Sequence, residues 1–240
     1  MKADSILLAP VGRDADVALD CPLRWRRSSR AKRVTLRIDP VLGGAVITLP
    51  PGAGRQAGLA LLRRHADWVA GRLRALPTPL RFVPGAKVPL GDSSHPIRHS
   101  VTRRGPAVLE ADGIMVGGRL EAVPLRVRAL LRTEAALRIA PRARLHALTL
   151  AVRPRTIRLK DTRSRWGSCA ADGTLAFSWR LVMAPPWVLD YVVAHEVAHL
   201  REMNHSDRFW AHLAELSPHR EAAQAWLRAH GPALLRAGAD

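Results

Sequence analysis

Two apolar runs near the N-terminus are separated by turn-forming residues. Residues 34–39 alternate between apolar and polar side chains, residues 40–44 are rich in proline and glycine, and residues 45–50 form a second apolar run. Two runs of this kind joined by a short turn segment are typical of a β-hairpin. A Pro-Pro-Gly sequence at 50–52 then ends the second strand.

After this hairpin the apolar residues recur every three or four positions. Over residues 55–76 they form one stripe, which predicts an amphipathic helix. We interpret Trp68 in this helix as a packing residue rather than as a stacking platform for nucleic-acid bases. Residues 80–118 return to short β segments broken by glycines, so the first half of the chain is predicted to be rich in β structure.

The second half of the chain is predicted to contain four helices and two strands. Residues 120–148 are predicted to be helical, with Pro124 in the first turn and an interruption near Pro141. Strands are predicted at 155–160 and 174–180, on either side of a turn at 171–173. The remaining helices are one that follows Pro185 and Pro186 and runs to about Met203, one over 206–216 capped by Ser206, and one over 218–230 that ends before Gly231.

The composition of the 240 residues is that of a globular protein, with 48% hydrophobic and 24% charged residues. No apolar run reaches the roughly 18 residues that a membrane span needs. The short apolar stretch 6–11 lacks the length and the cleavage site of a secretory signal, so we expect a cytoplasmic protein. Cys21 and Cys169 are too far apart for a cysteine zinc finger and do not form a disulfide framework.

The chain is strongly basic, with a formal net charge of +18. Between Cys21 and Leu76 there are 12 Arg or Lys residues against two Asp residues, so this segment contributes +10. Such a concentration of charge fits attraction to nucleic acid or another polyanion, and it equally fits a solvated basic surface. The charge alone does not choose between these interpretations, because it supplies no groove and no base reader.

The segment around His195 contains His-Glu-x-x-His within an apolar helical pattern. Because an α-helix has 3.6 residues per turn, His195 and His199 lie on one face, about 6 Å apart along the axis, and can share one tetrahedral Zn²⁺. Glu196 is rotated by about 100° from His195, which suits a base that reaches a water beside the metal. The apolar neighbours would bury these polar groups, and a metal gives buried polar groups a partner.

The third ligand is predicted to be His205, which follows His199 beyond the expected helix end near Asn204. The alternatives are Glu202, His212, Glu215 and His219; of these, Glu215 would complete a site of two histidines and one glutamate, a known zinc pattern. Three protein ligands leave a fourth position for water, as catalytic zinc requires. Zinc lowers the pKa of that water, and Glu196 would act as its general base.

Four segments around this site resemble one family. They are 163–169 (Arg-Ser-Arg-Trp-Gly-Ser-Cys), 177–182 (Phe-Ser-Trp-Arg-Leu-Val), 190–200 around the two helical histidines, and 204–210 (Asn-His-Ser-Asp-Arg-Phe-Trp). Together they look like the YgjP-like metallopeptidases, which are similar to the broader SprT-like and WLM zinc peptidases. Segments 27–33 and 65–68 also resemble the family, so the likeness covers roughly residues 24–215.

The resemblance implies an α+β fold with a minimal zincin-like metallopeptidase domain, in which the helix that bears His-Glu-x-x-His packs on a small sheet. We expect this domain over residues 119–240, preceded by a β-rich N-terminal region with one helix over residues 1–118. The resemblance implies His195, His199 and His205 as ligands of Zn²⁺ and Glu196 as the catalytic residue. The spacing is also similar to that of metzincins, but Glu202 replaces their glycine and no later Met-turn is evident.

Residues before the metal motif are candidates for the substrate cleft, since zincins lay substrate along a strand beside the metal helix. The residues in question are Arg163, Arg165, Trp166, Ser168 and Cys169. For Trp166 and Cys169 we favour packing between the sheet and the helix.

Other neighbours of the motif are expected to support it. Tyr191 lies on the same helical face as His195, where support or packing is favoured over donation to an oxyanion. Either Asp190 or Asp207 is expected to accept an N–H from a ligand histidine. Phe209 and Trp210 are expected to anchor the segment after His205 to the core.

The predicted function is therefore that of a zinc-dependent metallopeptidase, a hydrolase that acts on a protein or peptide through a metal-activated water. The alternative is a nucleic-acid-associated protein whose basic N-terminal region recruits a narrow or conditional protease to DNA- or RNA-bound proteins; SprT-like relatives cleave proteins crosslinked to DNA. A metal-binding protein without turnover is disfavoured, because a structural zinc site does not need Glu196. No membrane partner is expected, and the sequence indicates no oligomeric state.

Overall fold

The computed structural model describes residues 4–8, 18–162 and 164–239. Arg163, and the part of the apolar stretch 6–11 beyond Leu8, lie outside the described residues. Contacts between residues divide the chain into two compact units, one ending at Thr78 and the other beginning at Pro79. The domain boundary predicted after residue 118 differs from this division and stays a prediction.

The first unit contains a four-stranded sheet. Its strands are β1 (Asp4–Leu8), β2 (Leu19–Arg27), β3 (Thr35–Asp39) and β4 (Gly44–Leu49), in the order β1-β2-β4-β3. Strands β3 and β4 pair antiparallel, which confirms the predicted hairpin. The Asp39 carboxylate organises the turn by accepting hydrogen bonds from the backbone N–H groups of Val41 and Leu42.

Two short helices pack on this sheet in place of the single helix predicted over 55–76. They are α1 (Arg55–Arg64) and α2 (Ala66–Arg74), and the chain leaves helical geometry at His65, where φ is −113° and ψ is 22°. The apolar stripe continues across the break, since Leu62, Val69 and Leu73 are all buried. Seven residues separate Leu62 from Val69, which is two helical turns, so the periodicity gave no sign of the break.

The first sheet of the second unit has the same arrangement as the sheet of the first unit. Its strands are β5 (Lys87–Leu90), β6 (Ser93–Ser100), β7 (Val108–Glu110) and β8 (Gly113–Gly117), in the order β5-β6-β8-β7. In both sheets the central pair is parallel and the two outer pairs are antiparallel. These strands lie within the region predicted to form short β segments.

A long helix, α3 (Val123–Thr149), follows a 3-10 turn at Leu120–Ala122. Pro124 lies in its first turn, as predicted, but the interruption predicted near Pro141 is wrong, because the helix continues through that residue. The proline ring removes the hydrogen bond to the carbonyl of Leu137. Both residues are exposed on the solvent side of the helix, where water can satisfy that carbonyl.

The remaining elements surround the metal motif. A three-stranded sheet contains β9 (Thr156–Lys160), β10 (Gly167–Cys169) and β11 (Thr174–Ser178) in the order β10-β11-β9, and a 3-10 turn at Trp179–Met183 follows it. The helices are α4 (Pro186–Ala198), α5 (Asp207–Leu216) and α6 (Arg220–Leu235). The described residues thus form six α-helices and several small sheets, which confirms the α+β class. No described helix is long and apolar enough to traverse a lipid bilayer.

Two of the predicted helix ends are wrong. Helix α4 ends at Ala198 rather than near Met203, because the next backbone N–H groups turn back to bond Val197 and Ala198. Helix α6 runs past Gly231 to Leu235. Gly231 is buried there against the Trp166 ring, so its small size serves close packing rather than termination.

Candidate metal centre

Helix α4 is the central element of the site. Its residues are apolar around most of its circumference, and Val193, Ala194, Val197 and Ala198 are fully buried. Such a helix forms because tertiary packing covers it on several sides, rather than because one face is apolar. His195 and His199, one turn apart, are half-buried, and their ring centroids lie 5.0 Å apart.

The chain reverses directly after α4. His199 is the C-cap residue, and the Arg201 guanidinium donates two hydrogen bonds to the carbonyl of Leu150, which holds the turn against the end of α3. Helix α5 then begins with Ser206 as its N-cap, whose Oγ accepts a hydrogen bond from the backbone N–H of Phe209. His205 is the residue just before this cap, so the start of α5 determines where its ring lies.

The three histidines converge. The Nε2 atoms of His195 and His205 lie 3.2 Å apart, and one nitrogen from each of His195, His199 and His205 lies within 4.8 Å of the others. Two nitrogens bound tetrahedrally to zinc at about 2.0–2.1 Å are separated by roughly 3.3 Å. Within the described residues this is the group of three metal-ligating side chains that meets in space, and Glu202, His212, Glu215 and His219 are not members of it.

Hydrogen bonding and burial keep the helical histidines in the form that a metal requires. His199 Nδ1 donates to the carbonyl of Glu202 at 3.0 Å, which leaves Nε2 free to bind a metal. Burial, with the charges of His199, His205 and Arg220, lowers the pKa of His195 to about 4, so its ring is neutral at physiological pH. The Nδ1 atom of His195 is buried without a hydrogen-bond partner among the described residues.

Phe209 is the common support of the three rings. Its centroid lies 4.9 Å from His195, 4.5 Å from His199 and 4.7 Å from His205, and its side chain is fully buried. The His205 ring also lies 5.5 Å from that of Trp210 at a tilt of 31°. Phe209 and Trp210 therefore anchor this segment to the core, as predicted. Phe209 also contacts the three histidine rings directly.

Glu196 is a buried carboxylic acid beside this cluster, with only 7% of its surface exposed. Burial raises its pKa to about 7, against the opposing effects of the Arg165 charge and of a hydrogen bond from the backbone N–H of Cys169. The carboxylate lies against strand β10, where a Cβ on Gly167 would come within 2.5 Å of its Oε1. A glycine at 167 is thus what leaves room for Glu196.

Asp190 and Tyr191 have partners other than the nitrogens of the three converging histidines. Asp190 accepts a hydrogen bond from Nε2 of the buried His146 at 2.7 Å and pairs with Arg142 at 3.2 Å. Of the two acids predicted to accept from one of the three histidines, the Asp190 option is therefore wrong, and the Asp207 option stays a prediction. A backbone carbonyl, that of Glu202, has that role for His199. The Tyr191 hydroxyl accepts a hydrogen bond from Gln224 at 2.9 Å, and its ring lies 6.0 Å from that of His195, as a supporting residue would.

Trp166 and Cys169 pack against the hydrophobic core, as expected. Burial, together with the negative charges of Glu196 and Asp172, raises the pKa of the Cys169 thiol to about 11. The thiol is therefore protonated at neutral pH.

The sequence analysis missed the buried His146, because no sequence pattern relates this residue to its partner Asp190, which lies 44 residues further along the chain.

Comparisons with known proteins point to one family. The family model described as YgjP-like, metallopeptidase domain, matches residues 32–230. No curated protein matches the chain. Among solved structures, the chain is similar to the metallopeptidase zymogen of Pyrococcus abyssi abylysin, with 18% identity and a TM-score of 0.34, over 39% of this chain and 92% of that one. Likeness at this level does not establish a shared fold.

Proposed function

The chain belongs to the YgjP-like metallopeptidase family, and from this premise we propose that it is a zinc-dependent peptidase. In this proposal His195, His199 and His205 hold the metal, and Glu196 is the catalytic carboxylate. Family membership implies a metal ion and a protein or peptide substrate; zinc, the ligand set and the role of Glu196 are our additions.

The observation that carries the proposal is the convergence of three imidazole rings on one point. Without a cation, the Nε2 lone pairs of His195 and His205 would face each other at 3.2 Å or share a proton. The His199 ring is oriented for the same point by the carbonyl of Glu202. Three nitrogen ligands and an open fourth position form the donor set of catalytic zinc rather than of structural zinc.

The chemistry divides between the metal and Glu196. When bound, zinc supplies a Lewis acid that polarises the scissile carbonyl and makes water a nucleophile near neutral pH. The Glu196 carboxylate accepts a proton from the attacking water and delivers it to the leaving amine. Its burial excludes bulk water, and Gly167 fixes its position from the opposite side.

The substrate would bind along strand β10. This strand is at the edge of its sheet, and Gly167 on it lies against Glu196. An extended peptide can add to such an edge through main-chain hydrogen bonds, which brings a scissile bond past the carboxylate without requiring a particular side chain. Arg165 and Ser168 flank this edge and would contact the substrate.

Elemental analysis tests the metal half of the proposal. We expect about one zinc per chain in the wild type, a clear loss in His205→Ala, and no loss in the matched control Glu215→Ala. A folded wild-type chain that contains no zinc and takes up none when it is added would overturn the proposal.

Measurement of peptidase turnover tests the proposed activity and the role of Glu196. We expect cleavage of a fluorescently labelled casein by the zinc-loaded wild type. Glu196→Gln should keep the zinc and lose cleavage, since positioned general bases contribute about 10²- to 10⁴-fold. Full activity in Glu196→Gln would remove this residue from the mechanism.

A further inference from the structure

Trp68 is exposed in a way that its predicted packing role does not explain. It lies on α2, where Val69 and Leu73 are buried, yet 46% of its own surface is open to solvent. It is not among the residues that pack against the core of the first unit. Its indole therefore presents apolar ring surface to solvent, on which another flat ring can stack.

Trp68 forms one wall of a cavity of about 510 Å³. The other walls come from His65, from Leu61 on α1, and from residues 33–36 at the start of β3. The lining is mostly apolar, with the Arg33 side chain at its edge. The break between α1 and α2 contributes directly, because it is His65 that leaves helical geometry there.

The surroundings of this cavity are cationic. Arg33 lines it, and Arg72 lies four residues after Trp68 on the same face of α2. Both are exposed, and neither has an acidic partner among the residues that the structure describes. Arg30 and Lys32, both exposed, precede β3 on the same chain segment, and Asp67 is the acid nearest in sequence.

We propose that this cavity binds one base of a single-stranded nucleic acid, with the base stacked on Trp68 and the flanking phosphates held by Arg33 and Arg72. An aromatic face combined with a positively charged track is the arrangement that binds single strands without reading their sequence. A duplex would not fit, because its bases are stacked and unavailable. The charge of +10 between Cys21 and Leu76 supplies the complementarity to phosphate.

This inference goes beyond the proposed peptidase function and does not depend on it. The site is built within the first unit, whereas the three histidines and Glu196 belong to the second. Binding would give the peptidase a means of acting near nucleic-acid-bound proteins, which is the alternative that the basic sequence suggested.

Fluorescence anisotropy of a labelled oligo-dT strand of 12 nucleotides tests the proposal. The full chain is used as Glu196→Gln, so that peptidase activity plays no part in the result. We expect binding that weakens as salt rises. Trp68→Ala should weaken it about 5- to 100-fold with the salt slope unchanged, and Trp68→Phe should restore most of it.

The arginines give a second, independent readout. Arg33→Gln combined with Arg72→Gln should lower the salt slope by about 1.4, since each phosphate contact on a single strand contributes about 0.7. Arg74→Gln is the matched control for the second substitution, because it removes the same charge from another face of the same helix. These arginines are exposed, so the melting curves of their variants should match that of the starting protein, and Trp68→Phe controls for packing lost in Trp68→Ala.

Any of three results would overturn the proposal. The first is the absence of salt-dependent binding in the full chain. The second is binding that Trp68→Ala leaves unchanged, and the third is equally tight binding of a duplex of the same length, since either would indicate diffuse attraction to a basic surface. Loss of peptidase activity or of zinc has no bearing on these outcomes.

Discussion

The carboxylate of Glu196 lies so close to the backbone of Gly167 that a Cβ there would come within 2.5 Å of Oε1 and of Cγ. The side chain of Glu196, which the proposed chemistry requires, thus packs between helix α4 and strand β10. Any side chain at 167 must displace either the strand or the carboxylate, because a Cβ does not approach a non-bonded heavy atom this closely.

We expect Gly167→Ala to lower peptidase activity by at least about 100-fold while zinc remains bound, because it moves the general base and not the histidines. Casein cleavage and elemental analysis on the same preparation measure the two effects. Gly71→Ala is the matched control, because an added Cβ there would meet nothing within 4 Å, and it should retain the activity. Unchanged activity in a folded Gly167→Ala chain would show that Glu196 is not held from this side.

Metal removal should destabilise the protein as well as inactivate it. A ligand that binds only the folded state stabilises it by about 2.7 kcal/mol at 100 times its dissociation constant. Thermal melting with a chelator should therefore occur at lower temperature, and added zinc should restore both the melting temperature and the activity. In His195→Ala the melting temperature should not respond to zinc, and a response there equal to that of the wild type would contradict the site.

Phe209→Leu should separate metal affinity from stability. The Phe209 ring contacts all three histidine rings, so a smaller side chain loosens their mutual geometry. We expect a loss of about 1–1.5 kcal/mol in stability and a fall in zinc affinity of about tenfold, the lower end of the effect of outer residues on metal sites.

Phe177→Leu is the matched control for this substitution, since Phe177 is equally buried in the core of the same unit. Its stability should fall by a similar amount and its zinc affinity should not change. Equal zinc affinities in the two variants would mean that Phe209 fills space and no more. Competition with a chromogenic zinc chelator measures the affinity, and urea unfolding measures the stability.

Asp161 gives a prediction for the stability of the protein at acidic pH. Its partner Arg180 is buried and also donates to the carbonyl of Ala237 at 3.0 Å. Burial opposes ionisation of Asp161, but the hydrogen bond and the charge of Arg180 outweigh it and lower the pKa of this carboxyl. A carboxyl with a lowered folded-state pKa adds stability above its unfolded pKa of about 3.9, and that stability is lost as the pH falls through the folded value.

We therefore expect Asp161→Asn to lower the free energy of unfolding by about 1–3 kcal/mol at pH 7, less than for a fully buried pair because Asp161 is half exposed. The difference from the wild type should shrink below about pH 4. Urea unfolding across pH 3–7 measures it, with Asp92→Asn, at an exposed position in the same unit, as a control that should change little. A constant difference down to pH 3 would exclude the ion pair as its cause.

The sequence predicts some parts of this structure well and others not at all. His195, Glu196 and His199 are predictable because their relation depends only on the pitch of one helix. The β3–β4 hairpin is predictable for the same reason, since its turn chemistry is local. The choice of His205 needed the chain to reverse after α4, and the sequence suggested that reversal although it put the helix end several residues too late.

Contacts between distant segments were beyond sequence reasoning. The Gly167 contact with Glu196 and the His146 pair with Asp190 join elements whose relative positions no local pattern specifies. Gly231 illustrates the same limit, because a glycine that ends a helix and a glycine that packs against Trp166 look alike in sequence. Trp68 was interpreted as a packing residue, and only the folded unit shows that about half of its surface is in solvent.

Helix α4 ends at Ala198, directly before its C-cap residue His199, and this has a kinetic consequence for the proposed metal site. His195 and His199 are held by this helix and its cap, which cannot move without opening the core, whereas His205 lies exposed on the short return segment before α5. Zinc can then be exchanged by local displacement of that segment, while His195 and His199 keep their positions. The lifetime of the bound metal would depend on the Arg201 contact with the Leu150 carbonyl and on the Ser206 cap, rather than on global unfolding.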